Sequence, residues 1–115
     1  MMTIDIDMAN GTILHSVPIA GTFSERLLGL MFNSSSVYPN GMYFNGCNCI
    51  HTCFMRYEID VFFMDSNGVI CREFRKVGPW RVCSGGSGAM SVLETRAGLL
   101  PGLETGIKLT VPQTR

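Results

Sequence analysis

At 115 residues, with 46% hydrophobic and 16% charged content, the chain has the size and balance of one globular domain, 1–115, and not of a disordered segment. Nine Lys plus Arg against nine Asp plus Glu give a formal net charge of zero, which removes any whole-molecule field that would steer it to nucleic acid or an anionic membrane. Thirteen Gly and five Pro favour many short elements joined by turns, a β-rich architecture over a helical bundle.

The segment Met1 to Asp7 carries acidic residues where a secretory signal carries basic ones, and no stretch approaches the ~20 apolar residues of a membrane span. A cytoplasmic protein without membrane contact is therefore expected. Ile4, Ile6 and Met8 alternate, Ala9-Asn10-Gly11-Thr12 turns the chain, and Ile13 to Val17 forms the second arm of an opening hairpin. His15 shares its parity with Ile13 and Val17 and is expected in the core.

Thr22-Phe23-Ser24-Glu25 is a capping box, in which hydroxyl and carboxylate each receive the other residue's backbone N–H, so a helix is expected over about 23–29. Gly29 is placed to end it. Two turns are not stable alone, so Leu27, Leu28 and Leu30 must pack on a sheet. Asn33 to Ser36 reads as a loop and Gly41-Met42-Tyr43-Phe44 as a short strand closed by the turn signal Asn45-Gly46.

Ile50 to Val77 reads as one long β-hairpin about Asp65-Ser66-Asn67-Gly68, whose Asp and Asn bond their own backbone and whose Gly takes a left-handed conformation. By strand alternation, His51, Cys53, Met55, Tyr57, Ile59, Val61 and Phe63 face the core, and Arg56, Glu58 and Asp60 line the other face. A three-residue loop with Gly68 as bulge residue places Phe63 opposite Cys71 and Glu58 opposite Lys76. A two-residue loop places Phe63 opposite Arg72. The first is preferred, although its charge pair contributes only ~0.2 to 1 kcal/mol.

Gly78-Pro79-Trp80 then turns the chain, and Ser84 to Gly88 is a loop without the Lys or spacing of a phosphate-binding loop. Ala89 to Thr95 is a strand, Ala97-Gly98 a turn, Pro101 to Thr105 a helical turn and Lys108 to Val111 a closing strand. No internal repeat is visible. The expected fold is mainly β, α+β at the margin: a compact β-sandwich or partly closed barrel of about six to eight short strands, with a short helix at 23–29 and a helical turn at 101–105 packed on it.

Cys47, Cys49, His51 and Cys53 place four soft ligands within seven residues, yet in an extended strand the outer two lie ~20 Å apart. Tetrahedral zinc needs its donors within ~2.3 Å of one point, so no metal is expected and the thiols are read as core. Five cysteines are an odd number, which a reducing cytoplasm accommodates. A nucleophilic Cys53 assisted by His51 is disfavoured by the predicted burial of their face. Arg72, Arg75, Lys76 and Arg81 with Phe74 and Trp80 have residue types that contact nucleic acid, but Glu73 interrupts them, the molecule is neutral, and a solvated hairpin arm accounts for the same charges; no nucleic-acid partner is expected.

Asp60 interrupts Ile59-Val61-Phe62-Phe63-Met64, where burying an unpaired carboxylate costs several kcal/mol. It is therefore expected to be partly buried and bonded to an arginine, Arg26 or Arg56, or to backbone N–H groups. Asp60, Arg26, Glu94, Met55 and Arg56 form the candidate site.

Ser24 to Met31, Gly41 to Phe44, Ile50 to Asp65 and Ala89 to Glu94, followed by Gly98 and Gly106, together resemble the bacterial and archaeal family called domain of unknown function 192, or uncharacterised protein family 0127. The resemblance covers roughly 13–111 and implies a small, mainly β domain with no agreed activity. Family members usually carry Pro at the position of Glu58 and Gly-Asp where this chain has Gly106-Ile107, so a role resting on that Asp is absent here. The functional expectation is a binding or accessory domain for a small ligand or protein partner, without cofactor, monomeric or weakly dimeric. The alternatives are a small hydrolase using Asp60 and Glu94 as paired carboxylates, and a Cys/His metal-binding module.

Overall fold

Every residue of Ile59–Met64 is buried, Asp60 included, so this strand has no solvent face. The cause is topological. In the computed structural model, which describes residues 3–20, 41–52 and 57–111, the strands are β1 (Thr3–Met8), β2 (Gly11–Ala20), β3 (Met42–Asn45), β4 (Cys49–His51), β5 (Ile59–Met64), β6 (Ile70–Val77), β7 (Val82–Ser84) and β8 (Ser91–Arg96). Six form one sheet in the order β1-β2-β3-β8-β5-β6, and β4 pairs with β7 in a second. β5 lies inside the large sheet, and layers cover both of its faces.

On one face Met42, Phe44, Ile59, Val61, Phe63 and Val92 pack against Ile50 and Cys83 of the small sheet, with Cys47 and Ala89. On the other, Tyr43, Phe62, Met64 and Leu93 meet Ile4, Ile6, Leu14 and Val17 of the first hairpin, with Leu103 and Leu109. Each fully buried phenylalanine contributes about 1.5–3 kcal/mol, so alternate residues of one strand anchor two cores. Segment 106–110 bridges to Val69, just before outer strand β6, through Val69↔Lys108, and to outer strand β1 through Asp7↔Thr110, without forming a strand, and the sheet is not closed. The mainly β fold of short strands is as the sequence predicts. No helix among the described residues is long and apolar enough to cross a membrane.

Several local expectations are corrected. The arm read as one strand from Ile50 to Met64 is divided between β4 and β5, which belong to different sheets. Pro101 to Thr105 is not a helical turn: Leu103 N–H donates to Leu100 O and Ile107 N–H to Glu104 O, making two successive turns. β7 falls where the sequence indicates only turn and loop. The 23–29 helix lies outside the described residues.

The hairpin register also differs from the preferred one. Met64↔Ile70 follows the three-residue loop, but a bulge at Cys71 shifts the ladder to Phe63↔Arg72, a register kept to Val61↔Phe74, and a second shift then gives Ile59↔Val77. Lys76 is therefore not opposite Glu58. At the second bulge Lys76 takes φ 50°, and Asp60, directly across, receives its N–H through Oδ1 at 2.9 Å. The first hairpin repeats this device: Ile4↔Val17 passes to Ile6↔Leu14, Ser16 takes φ 54°, and Asp5 Oδ1 receives the Ser16 N–H at 3.0 Å. Ile4-Asp5-Ile6 against His15-Ser16-Val17 thus matches Ile59-Asp60-Val61 against Arg75-Lys76-Val77, a structural repeat too short to show as sequence self-similarity. In both, the basic residue before the left-handed one turns to the aspartate: His15 Nδ1 at 3.8 Å from Asp5 and Arg75 Nη1 at 3.1 Å from Asp60. The bulge moves His15 out of the core parity, and it is exposed.

Candidate binding groove

Asp60 is 1% exposed and its carboxylate is saturated. Besides Lys76 N–H it receives Gly98 N–H at 3.0 Å and Arg75 Nη1 at 3.1 Å through Oδ2. Arg75 also donates to Leu100 O at 3.0 Å, to Leu103 O, and to Glu73 Oε2 at 3.0 Å, and its guanidinium lies 4.8 Å from the Phe62 ring centroid. Glu73 Oε1 accepts Thr105 N–H. The network ties segment 97–105 to the sheet. A buried carboxylate with three donors is an anchor, and the arginine it holds is Arg75; Arg26, Met55 and Arg56 lie outside the described residues.

Glu94 is buried too, but on the other side. It stands opposite Val61 and Met42, whereas Asp60 stands opposite Thr95, so alternation sends the two side chains to opposite faces of the sheet. Paired-carboxylate chemistry requires convergence on one cleft, and these two do not converge. Glu94 instead influences Tyr57 and Cys83: burial, then the Glu94 charge, pushes both groups above their ordinary pKa, with Cys49 adding to and Arg72 opposing the shift of Cys83.

Both groups hold their protons more tightly folded than unfolded, so their contribution to stability is full below about pH 9 and is lost as pH rises through their folded values. Exposed Cys49 is thus expected to react with a thiol reagent about tenfold or more faster than Cys83 near pH 8. Mass mapping of the labelled thiols checks this, and equal rates would contradict the burial of Cys83.

Of the Cys/His cluster, Cys47 is buried with its thiol on Cys49 O, Cys49 and His51 are exposed, and Cys53 lies outside the described residues. Among the described residues no group of three or more His, Cys, Asp or Glu could hold a metal.

A different set of side chains does converge. Thr52 is fully buried at the end of β4; its hydroxyl donates to Gly78 O at 2.6 Å and accepts Arg81 N–H at 2.9 Å. Its backbone N–H donates to Arg81 O, and its carbonyl accepts Trp80 N–H at 3.1 Å. Four bonds from one residue lock the 78–81 turn, whose Trp80 sits at φ 63°, a conformation sterically costly for a bulky side chain. Held there, Trp80 is 63% exposed and Val82, two residues on, 73% exposed. Val82 lines a groove of about 580 Å³ between β6 and β7, together with Phe74, Lys76, Val77, Arg81, Cys83 and Glu58, among others, and Trp80 stands in the chain between two further lining positions, Pro79 and Arg81. Arg72 lies over the Phe74 ring and donates to Ser84 O beside it. The basic and aromatic residue types are visible in sequence; Thr52, which arranges them, carries no local signal.

The fold is a mainly β domain of two sheets that carries this groove and holds its two buried carboxylates on opposite faces of the larger sheet. The chain belongs to the family described as Uncharacterized ACR, domain of unknown function 192, whose model matches residues 3–111. It is 33% identical over 97 residues to a UPF0127 protein of Thermococcus sibiricus, covering 79% of this chain and 61% of that relative's length. A crystal structure from Sinorhizobium meliloti, described as a candidate transcription regulator, is similar with TM-score 0.77 at 25% identity, covering 96% of this chain and 92% of that one. A protein of unknown function from Novosphingobium aromaticivorans shares the fold with TM-score 0.77 at 19% identity, covering 94% and 83%.

Proposed function

We propose that the chain is a cytoplasmic binding domain whose β6–β7 groove takes an acidic peptide segment bearing an apolar side chain, presented by a protein partner. The observation that carries this reading is Trp80, kept largely exposed by a turn that Thr52 locks in a costly conformation. A fixed, exposed tryptophan gives large contact area at little ordering cost and is the residue type most enriched among binding hot spots. Lys76 and Arg81 on the groove wall, with Arg72 alongside, outnumber Glu58 and set the charge of the complement. The description of the Sinorhizobium meliloti protein makes nucleic acid the competing anionic partner; the zero net charge of this chain disfavours it.

Trp80 is the one tryptophan in the sequence, so intrinsic fluorescence reports on the groove without a label. Acidic octapeptides carrying one Leu or Phe are expected to shift its emission, and their basic counterparts are not. Trp80→Ala, followed by calorimetry, is expected to lower affinity by about 30-fold or more. No response to acidic peptides, an equal response after Lys76→Glu with Arg81→Glu, or a response only to oligonucleotides would overturn the reading.

A further inference from the structure

A second cleft shares no lining residue with the β6–β7 groove. It holds about 440 Å³ and is walled by the hairpin tip Asp65 to Gly68, the end of β3 at Asn45, Met90-Ser91 and Lys108 to Val111. Beneath it lie the buried Tyr43, Met64 and Leu109, so its accessible lining is mainly polar. Backbone bonds fix each wall: Met90 N–H donates to Met64 O at 2.7 Å, Met90 O receives Cys47 N–H at 3.1 Å, and Leu109 N–H donates to Gly68 O at 2.8 Å. Gly68, at φ 82°, lets the hairpin tip lie against Leu109, since a Cβ there would collide with the Leu109 carbonyl. A cleft pinned in this way is formed before any ligand arrives, which lowers the ordering cost of binding.

The polar groups of the lining define the ligand. Lys108 is the one cation, and among the described residues it forms no salt bridge. Asp65 is the one carboxylate, and its Oδ1 is engaged within the turn by Asn67 N–H at 2.8 Å and Val69 N–H at 3.1 Å. Asn45, Ser66 and Asn67 are exposed at the walls and supply neutral donors and acceptors. An ammonium and several neutral hydrogen-bonding groups match one anionic group and several hydroxyls on the same small molecule. We infer that this cleft is a second binding site, for a hydroxylated carboxylate of monosaccharide size, with Lys108 receiving the carboxylate and Asn45, Ser66 and Asn67 the hydroxyls.

The test uses the full chain and sodium glucuronate, with glucose and acetate as half-ligands, followed by amide chemical shifts in solution. Glucuronate is expected to shift Ser66, Asn67, Ser91 and Lys108 and to bind about tenfold tighter than either half-ligand. Lys108→Ala is expected to reduce glucuronate binding to the level of glucose, and Trp80→Ala to leave it unchanged, so that failure of the peptide groove and failure of this site are separable. Lys108 and Asn45 are exposed, and their truncation leaves the backbone bonds of the walls in place. Shifts confined to other residues, acetate binding as tightly as glucuronate, or retention of affinity by Lys108→Ala and Asn45→Ala would each overturn the assignment.

Discussion

Asp60→Asn is expected to lower the free energy of unfolding by about 3 kcal/mol, the scale of a buried charge pair that loses one member. The carboxylate receives Lys76 N–H on one oxygen and Gly98 N–H with Arg75 on the other. An asparagine has one oxygen for these, and its NH2 must point at donors whichever way it is turned. Arg75 then loses its buried counter-charge, and the carbonyls of Leu100 and Leu103 lose a fixed donor, so segment 97–105 loosens with it. The first hairpin supplies an internal control. Asp5 makes the equivalent bond to Ser16, but its side chain is 53% exposed and the facing His15 73%, so Asp5→Asn is expected to cost less than about 1 kcal/mol. Urea unfolding of both variants measures the difference, and similar losses would show that burial is not what makes Asp60 an anchor.

The same residue shows how far local reading extends. That a carboxylate inside Ile59-Asp60-Val61-Phe62-Phe63-Met64 must be bonded follows from desolvation alone, and it is bonded. Its partner was not legible, because Arg75 reaches Asp60 only where β6 bulges, and neither Lys76 nor Ser16 is a residue type that announces a left-handed conformation. The turn was legible, since Asp65 bonding Asn67 and Val69 is local chemistry. The ladder beyond it was not, because the two register shifts of β5 against β6 carry no residue-type signal in the sequence. Alternation predicted one core face for β5, and both faces are buried; whether a strand is interior depends on β8, some thirty residues distant. Glu94 was joined to Asp60 by charge type, and the β5–β8 register separates them, which is a tertiary fact.

Thr52→Val is expected to cost about 2–4 kcal/mol, although it conserves shape in a fully buried position. Valine removes the donor to Gly78 O and the acceptor of Arg81 N–H, and each group left unsatisfied costs about 1–3 kcal/mol where water cannot replace the partner. The β4–β7 ladder survives, because Cys49↔Ser84, Ile50↔Cys83 and His51↔Val82 are held by backbone, so the variant is expected to fold with its core intact. What it loses is the constraint on the 78–81 turn. Trp80 at φ 63° is costly for an L side chain by roughly 1–3 kcal/mol, and once the hydroxyl bonds are gone the turn relaxes towards negative φ. Trp80 emission anisotropy is therefore expected to fall, and peptide affinity at the groove to fall with it, while glucuronate binding at the Lys108 cleft is unchanged. Thr52→Ser restores the hydroxyl and is expected to recover most of both losses. A Thr52→Val protein with wild-type Trp80 anisotropy would show that the turn is fixed by something other than this one side chain.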